Sequence, residues 1–379
     1  MSKSVIKTPW YSFKTGKLCK GCAQCVEGKK TVLFITGLCM RKCFYCPISS
    51  SKYGSDVVFA NEWQIKDNKN PVELFEEVKL TGAQGAGITG GDPLIKIDRT
   101  INYIELLKKE FGESFHIHLY TSLNLANEDN LKKLFYAGLD EIRFHPSFDD
   151  SSLWDNILVA KKFNWSVGVE IPVVPGTQNK TERLIEFIAG KIDFLNLNEL
   201  EFSDTDSSHY DMSGYFRKNN SSYAVKGSRV LALKLLDKCS KLNINAHFCT
   251  AKLKNMVQVG ERLKRRALNI ALDIDELTEE YLLYRGAIYL KGFEPGSDYR
   301  QGSLKKASLY KLNKAKLSLL KSGLFDEDDL VVDSVRSRFL THFSLVERYA
   351  ERIKELDLTP CIVEEYPSSD FFCVELEFL

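Results

Sequence analysis

Three cysteines spaced C-x3-C-x2-C constrain this chain more than any other feature. They directly follow an apolar, strand-like run, Thr31–Thr36, and are Cys39, Cys43 and Cys46. A second triplet with C-x2-C-x2-C spacing precedes them: Cys19, Cys22 and Cys25. Six of the ten cysteines therefore fall in one short stretch of a 379-residue chain. Such spacing is typical of metal-binding thiolates and not of isolated buried thiols.

The number of ligands favours an iron–sulfur cluster at the C-x3-C-x2-C triplet. A structural zinc site normally closes with four protein ligands. Apart from the N-terminal triplet, no other cysteine or histidine occurs before His116. A [4Fe-4S] cubane held by three thiolates leaves one iron open to a substrate or cofactor. The alternative is one or two zinc knuckles built from all six cysteines.

Composition agrees with a globular enzyme. The chain is 44% apolar and 27% charged, and its length suits two or three domains. A formal net charge of +1 gives no global field toward nucleic acid or a membrane surface. No apolar run long enough to span a bilayer and no signal-peptide core is found, so we expect a cytoplasmic protein without membrane contact. Thiols stay reduced there, which suits thiolate ligands.

Apolar strand-like runs alternate with segments of helical period, which predicts repeated βα units and a parallel sheet. The predicted fold class is α/β, a partial (βα)6 TIM-type barrel of six or seven units. Ligands of such barrels bind at the carboxyl ends of the strands. The predicted strands are Thr31–Thr36, Gly85–Thr89, His116–Tyr120, Glu141–His145, Ser166–Val174, Phe194–Asn198 and Ile244–Cys249.

The predicted strands have one apolar and one polar face. His118 and Tyr120 alternate with Ile117 and Leu119, for example, and the later strands repeat this pattern. Helices outside a barrel need the apolar face, so the polar face must line the interior. We therefore expect a polar lumen that binds a cofactor and a polar substrate.

A second motif, Gly90-Gly91-Asp92-Pro93, stands where the second strand ends. Paired glycines allow the backbone to approach a ligand closely, and Asp92 and the carbonyl groups can accept hydrogen bonds from an ammonium group. The alternative is an ordinary turn.

The cysteine motif and the Gly-Gly-Asp-Pro turn together resemble the radical SAM superfamily. The resemblance rests on Gly37–Pro47, with Tyr45 just before the last cysteine, and on Gly90–Pro93. It implies that the open iron chelates the amino and carboxylate groups of S-adenosylmethionine (SAM). Reductive cleavage of SAM then yields a 5′-deoxyadenosyl radical that abstracts a hydrogen atom from a substrate.

The resemblance also implies cofactor-binding residues. Gly90, Gly91 and Asp92 would hold the methionine amino group, and Tyr45 would flank the cluster. Thr121 and Ser122 would contact the adenosine part. Arg143 would pair with the methionine carboxylate as a fork, or else form a structural salt bridge with Glu141 or Glu170.

The N-terminal triplet resembles an incomplete ferredoxin-type cluster motif, because no fourth cysteine follows in register. His247 and Cys249 are the candidate fourth ligands, and we hypothesise an auxiliary [4Fe-4S] cluster on Cys19, Cys22, Cys25 and Cys249. Zinc on the same residues is an alternative. Otherwise Cys249 is a hydrogen-atom donor in the lumen, with His247 beside it, or a small buried side chain.

The predicted domains are a Cys-rich segment (1–29), the radical SAM barrel (30–270) and a C-terminal α+β appendage (271–379). In the appendage, Leu330–Ser337, a helix over His342–Glu355, Cys361–Tyr366 and Phe371–Phe378 are expected to form a β-α-β-β unit.

Most of the chain is similar to a mainly archaeal group described as related to pyruvate formate-lyase activating enzymes. Residues that carry this likeness include Thr89–Leu94, Leu197–Phe202, Arg262–Ala267 and Val363–Pro367. The leading hypothesis is a radical SAM enzyme acting on a small polar substrate or a modified nucleoside, with a low-potential electron donor such as a ferredoxin. The alternatives are an activase or modifier of a protein partner and a zinc-bearing RNA-binding protein.

Overall fold

The structure, a computed structural model, describes residues 3–296 and 306–379. The chain divides into two units, Met1–Arg262 and Leu263–Leu379. The segment 1–29 belongs to the first unit together with the barrel. The division lies between residues 262 and 263, earlier than the expected boundary after residue 270. This division falls inside the helix Gly260–Ile270. The first turn of that helix packs on Gly28, where an added Cβ would lie 2.6 Å from the Arg262 backbone nitrogen.

Eleven strands form one sheet in the first unit. They are β1 (Val5–Lys7), β2 (Phe13–Thr15), β3 (Lys30–Phe34), β4 (Phe59–Ala60), β5 (Trp63–Gln64), β6 (Gly85–Thr89), β7 (His116–Thr121), β8 (Glu141–Phe144), β9 (Ser166–Val173), β10 (Phe194–Glu199) and β11 (Ala246–Cys249). Seven of them, β3 and β6 to β11, run parallel in chain order. The sheet ends at β1 and β5, so the expectation of an open, partial TIM-type barrel is confirmed, with seven parallel strands.

Helices precede, connect and follow the parallel strands. They are α1 (Lys20–Val26), α2 (Val72–Thr81), α3 (Ile97–Phe111), α4 (Glu128–Tyr136), α5 (Asn156–Ala160), α6 (Gln178–Ile188), α7 (Ser228–Lys241) and α8 (Gly260–Ile270). A π-helical turn, Leu253–Val259, leads into α8. Within the described residues, no helix combines the length and the apolar character needed to cross a bilayer.

The two faces of the barrel strands differ in polarity as the alternation predicts. Apolar residues such as Leu119, Ile142 and Val169 are fully buried in one core with the apolar sides of the helices. The alternate residues, among them His118 and Glu170, face the interior and border a cavity there. The core is therefore the layer between sheet and helices, and the lumen is polar.

The N-terminal segment completes the barrel at one edge and fills part of its interior. Strand β2 pairs antiparallel with β11, and β1 with β2. Helix α1 then enters the lumen, where Gly21 is required by close packing. An added Cβ on Gly21 would lie 2.3 Å from an Arg143 nitrogen and 2.8 Å from His118 Nδ1. The Cys-rich segment is therefore an internal part of the barrel.

The second unit contains a six-stranded antiparallel sheet. Its elements are β12 (Glu276–Leu277), β13 (Leu283–Leu290), β14 (Val331–Asp333), β15 (Arg338–Thr341), β16 (Leu358–Glu365), β17 (Cys373–Phe378), α9 (Leu309–Lys321) and α10 (Phe343–Glu355). The single strand expected at Leu330–Ser337 is instead the hairpin β14–β15, because Ser337 adopts a left-handed turn conformation with φ 56°. The central strand, β13, was not predicted; it pairs with both β15 and β16.

We predict that Gly168→Ala destabilises the first unit. A Cβ at this position in β9 would lie 2.2 Å from ring atoms of Phe194, which is itself buried. Overpacking of this kind costs about 1–3 kcal/mol of unfolding free energy, measurable as a lower urea midpoint at unchanged slope. Gly260→Ala is the matched control, because no atom lies within 4 Å of its added Cβ. Equal stability of the two variants would contradict the packing argument.

Candidate active site

A cavity of about 710 Å³ lies inside the first unit. All three thiols of the C-x3-C-x2-C loop border it, as do Gly90 and Gly91. Its walls also include residues at the ends of the parallel strands, such as Thr121, Ser122, His145 and Asn198. The sequence motifs therefore converge on one site at the carboxyl ends of the strands, as the barrel architecture requires.

The cysteine loop is closed at its base by backbone contacts. Gly37 N donates to Ser55 O at 2.8 Å, and Gly54 N donates to Gly37 O at 2.9 Å. Gly37 is needed here because an added Cβ would lie 1.6 Å from Lys52 O. The loop therefore leaves and rejoins the sheet at a fixed point, and its thiols are held over the strand ends.

The Gly-Gly-Asp-Pro turn packs directly against the start of this loop. Gly91 N donates to Thr36 O at 2.7 Å, and Asp92 N donates to Leu38 O at 2.8 Å. An added Cβ on Gly91 would lie 2.2 Å from Leu38 O. The paired glycines therefore position the residue before Cys39 as well as border the cavity.

Asp92 has a different environment from the one expected of an ammonium ligand. Its carboxylate is 1% exposed and accepts hydrogen bonds from Thr121 Oγ1 at 2.7 Å, Ser122 Oγ at 2.6 Å and the Ser122 and Leu94 nitrogens. It is not among the residues that border the cavity. The carboxylate thus ties β6 to β7, because burial demands that its oxygens be paired within the protein.

His145, which follows β8, anchors the cysteine loop and was not predicted to do so. Its carbonyl accepts from Arg41 at 2.5 Å, its Nε2 contacts Tyr45 Oη at 2.9 Å, and its Nδ1 contacts Glu170 O at 3.0 Å. Burial and the nearby Arg41 lower the pKa of His145 to about 4. The ring is therefore neutral at pH 7, with Nδ1 donating to the carbonyl and Nε2 accepting from Tyr45.

The outer side of the loop packs on residues 200–226, between β10 and α7. The ring of Phe44 stacks on Tyr215 with centroids 5.8 Å apart, and Tyr53 stacks on His209 at 3.9 Å. Ser203 Oγ donates to Pro47 O at 3.1 Å. Sequence reasoning missed this support, because the segment has neither strand alternation nor helical period.

Arg143 is buried in a network of charges and does not border the cavity. Its guanidinium donates to Glu141 at 2.6 Å, to Glu170 at 2.9 Å and to Tyr120 Oη at 2.8 Å. Burial alone would raise the pKa of Glu170, but Arg143 and two asparagine donors hold it below its usual value. Of the two sequence hypotheses, the salt bridge describes the structure, because no guanidinium N–H fork remains free for a methionine carboxylate.

The N-terminal cysteines lie beneath this network. Cys19 Sγ is 3.4 Å from Arg143, and Cys22 Sγ is 3.2 Å from the side-chain nitrogen of Asn196. Cys25, one turn further along α1, borders the cavity. None of the three cysteines forms a disulfide. The structure thus brings both cysteine triplets to one barrel interior.

His247 and Cys249, the candidate catalytic residues, do not border the cavity. His247 Nε2 contacts Ser12 Oγ at 3.1 Å, and burial lowers the pKa of the ring to about 4. Cys249 packs in an apolar cluster with Val26 and Leu253, and burial raises the pKa of its thiol to about 12. Burial next to helix α1 and the N-terminal edge separates both side chains from the reaction space.

The cysteine loop fits a cubane held by three protein ligands. Its three thiols border one cavity, and among the described residues the one hydrogen bond to the sulfur of Cys39 comes from the backbone N–H of Arg41, at 3.4 Å. Thiolates are the protein ligands that iron–sulfur clusters use. Among residues 3–296 and 306–379, no three His, Cys, Asp or Glu side chains are gathered closely enough to hold a single metal ion.

Comparison with known proteins identifies the family. The model of the radical SAM superfamily matches residues 33–188. A protein of Methanocaldococcus jannaschii named as a putative glycyl-radical enzyme activating enzyme is 37% identical over 372 residues, 95% of this chain and 92% of that protein. This chain belongs to the radical SAM superfamily. As a radical SAM enzyme it uses a [4Fe-4S] cluster and SAM, and the expectation of a zinc-bearing RNA-binding protein is set aside.

Two solved structures of radical SAM enzymes resemble this one weakly. The methyltransferase TsrM from Kitasatospora setae is 12% identical, with 47% of this chain and 37% of that chain covered and a TM-score of 0.35. Methylornithine synthase is also 12% identical, with coverages of 62% and 79% and a TM-score of 0.38.

We predict that Gly91→Ala reduces the iron content of this radical SAM enzyme without unfolding it. The added methyl group displaces Leu38 and so moves Cys39 relative to the other thiols. Iron per chain after anaerobic reconstitution should fall well below that of the wild type, while the circular dichroism spectrum stays unchanged. Gly260→Ala should keep full iron content. Full occupancy in Gly91→Ala would show that the turn does not position the loop.

We also predict that Arg143→Met lowers the free energy of unfolding by about 3–5 kcal/mol, because it leaves the buried Glu141 and the partly buried Glu170 without their cationic partner. Arg183, exposed on α6, provides the control, since Arg183→Met removes a cation–π contact with Trp154 but no buried ion pair. Urea unfolding measures both. If Arg143 instead bound the SAM carboxylate, its variant would bind SAM more weakly at unchanged stability.

Proposed function

We propose that Cys39, Cys43 and Cys46 bind the catalytic [4Fe-4S] cluster and that SAM binds in the adjoining cavity. Gly90, Gly91 and Tyr45 border that cavity beside the cluster loop, and Thr121 and Ser122 close it at the end of β7. The observation that carries this assignment is that the cluster loop and the Gly-Gly turn line the same cavity. The three thiols and the Gly-Gly turn face one space, and hydrogen bonds from Gly91 and Asp92 join them.

The cluster and SAM, when bound, supply the electron and the 5′-deoxyadenosyl radical that abstracts hydrogen from the substrate. The chain's own residues hold the reactants in place. Asp92 fixes the ends of β6 and β7, and His145 holds Arg41 and Tyr45 of the loop. Helix α1 closes the interior below the cavity. These contacts keep the loop rigid and limit solvent access, which protects a radical from side reactions.

The cavity supports a small polar substrate. Its volume, about 710 Å³, is in the range of a site for one drug-sized ligand, and SAM must share it. Glu170, Asn198, Lys254 and Arg262 line it. Lys254 is paired with Glu201, whereas Arg262 has no hydrogen-bond or ion-pair partner within the described part of the chain. A substrate with several hydrogen-bonding groups and an anionic group suits this lining.

A second candidate function is the activation of a protein partner. It is favoured by the identity of 37%, over nearly the whole chain, to the archaeal protein named as a putative glycyl-radical enzyme activating enzyme. In that case a backbone segment of the partner would enter the cavity. Either function needs a low-potential electron donor such as a ferredoxin. We propose a cytoplasmic location, where thiols remain reduced.

The test of the first proposal is SAM cleavage. Anaerobic protein with SAM and a strong reductant should form 5′-deoxyadenosine and methionine, and Cys39→Ala should reduce this to the level without enzyme. Cys249→Ala is the control and should retain cleavage, because its thiol lies outside the cavity. Cleavage that survives in Cys39→Ala would refute the cluster assignment.

The two substrate classes can be separated with fractionated extract of cells that encode this chain. Stimulation of 5′-deoxyadenosine formation by the ultrafiltrate is expected for a small polar substrate. Stimulation only by the retained fraction, and its loss on protease treatment, would favour the protein partner instead.

A further inference from the structure

We propose that Cys19, Cys22 and Cys25 bind a second [4Fe-4S] cluster inside the barrel, with one iron open toward the cavity. This cluster is distinct from the one at the C-x3-C-x2-C loop. It is inferred from the placement of helix α1. Whether this cluster is present does not depend on whether the chain cleaves SAM.

The three thiols lie along one side of α1, at its N-cap and on its next two turns. Cys19 receives a hydrogen bond from Arg143 at 3.4 Å, and Cys22 one from Asn196 at 3.2 Å. Cys25 is turned to the cavity. Two donors buried in the interior are thus aimed at sulfur atoms, although both also have carboxylate partners in Glu141 and Glu170. N–H donors on sulfur are the groups that tune and stabilise cluster ligands.

The charges around the triplet suit an anionic centre. A cubane with three thiolates carries net negative charge, which burial would make costly without nearby cations. Arg143 lies at the Cys19 end. Arg262 lies at the Cys25 end, where the first turn of α8 packs on Gly28, and both Arg262 and Cys25 border the cavity. Arg262 forms no hydrogen bond or ion pair with the described residues, and its nearest negative groups include the Cys25 thiol as well as Glu62 and Glu77. Its guanidinium can therefore balance negative charge at the Cys25 end.

A cubane and a zinc ion need different numbers of protein donors. A structural zinc ion closes with four ligands, and because Cys249 and Glu170 are engaged elsewhere, zinc at this triplet would need a histidine nitrogen. His118 Nδ1 and His247 Nδ1 are buried without a hydrogen-bond partner among the described residues. Cys249 packs with Val26 and Leu253 and contacts Gln258. His247 contacts Ser12 through Nε2 only, and Glu170 accepts from Arg143 and two asparagines. Three thiolates suffice for a cubane, which leaves its fourth iron open.

The position of Cys25 suggests that the open iron would bind the substrate. Cys25 and the thiols of the catalytic loop border the same cavity. An open iron at the inner end would offer a coordination site to a substrate nitrogen or oxygen while SAM occupies the loop end. The two clusters would then face each other across the reaction space.

The test is metal content per chain in two triple variants, purified and reconstituted without oxygen. Cys39→Ala/Cys43→Ala/Cys46→Ala removes the catalytic site, and Cys19→Ala/Cys22→Ala/Cys25→Ala removes the proposed one. Each should keep about four irons and matching sulfide, against about eight in the wild type, as one cubane per triplet requires. Cys239→Ala, a buried thiol of α7 in the outer core, is the control and should keep about eight.

The first triple variant decides the matter even if the second fails to fold. Loss of all its iron would overturn the proposal, and about one zinc retained per chain in place of iron would overturn it in favour of a closed zinc site. SAM cleavage that persists in this variant, with iron retained, would leave the second cluster intact and count only against the catalytic assignment.

Two spectroscopic measurements test the remaining parts of the proposal. In the reduced wild type, the electron paramagnetic resonance signals of the clusters should show mutual spin coupling that is absent from both variants, because the clusters share one cavity. In the first variant, ¹³C-cyanide should bind the open iron and give a ¹³C hyperfine coupling. No coupling to cyanide, together with iron loss on adding Cys249→Ala, would show that Cys249 is a fourth ligand and contradict the open iron.

Discussion

The buried guanidinium of Arg143 is the interaction on which the interior of this barrel depends. The strand alternation that buries leucine, isoleucine and valine against the helices also directs glutamate, asparagine and histidine inward. Charged groups in such a space must be paired, since an unpaired one is strongly destabilising. Arg143 links Glu141 of its own strand with Glu170 of the next and reaches Cys19 of α1. One side chain thus connects two barrel strands and the helix inside them.

A second buried group, the carboxylate of Asp92, does the same work at the mouth of the barrel. It joins the turn after β6 to Thr121 of β7 and to the following Ser122, while its backbone nitrogen holds the loop that carries the proposed cluster cysteines. The Gly-Gly-Asp-Pro sequence therefore has two physical requirements. The glycines allow two backbones to approach, and the aspartate supplies an acceptor that stays buried. His145 adds a third attachment through Arg41 and Tyr45.

Much of this could be predicted from the sequence, because it depends on local patterns. The parallel strands follow from period-two alternation, and the cysteine loop follows from its spacing and its place after β3. The partners of Arg143 and Asp92 could not be fixed, because a guanidinium or a carboxylate pairs equally well with a ligand or with the protein. The entry of α1 into the lumen depends on Gly21 fitting between Arg143 and His118, a contact between residues far apart in the chain. The central strand β13 was missed because no helix or strand was predicted in the appendage before Leu330.

We propose two iron–sulfur centres in one polar cavity, with Arg143 paired to Glu141 and Glu170 and not to SAM. Anomalous diffraction at the iron edge from anaerobic crystals grown with SAM tests this most directly. It should show two iron sites in the barrel, one at the Cys39–Cys46 loop beside SAM and one against α1, with Arg143 still between Glu141 and Glu170. A single iron site, or a SAM carboxylate bound to Arg143, would contradict it.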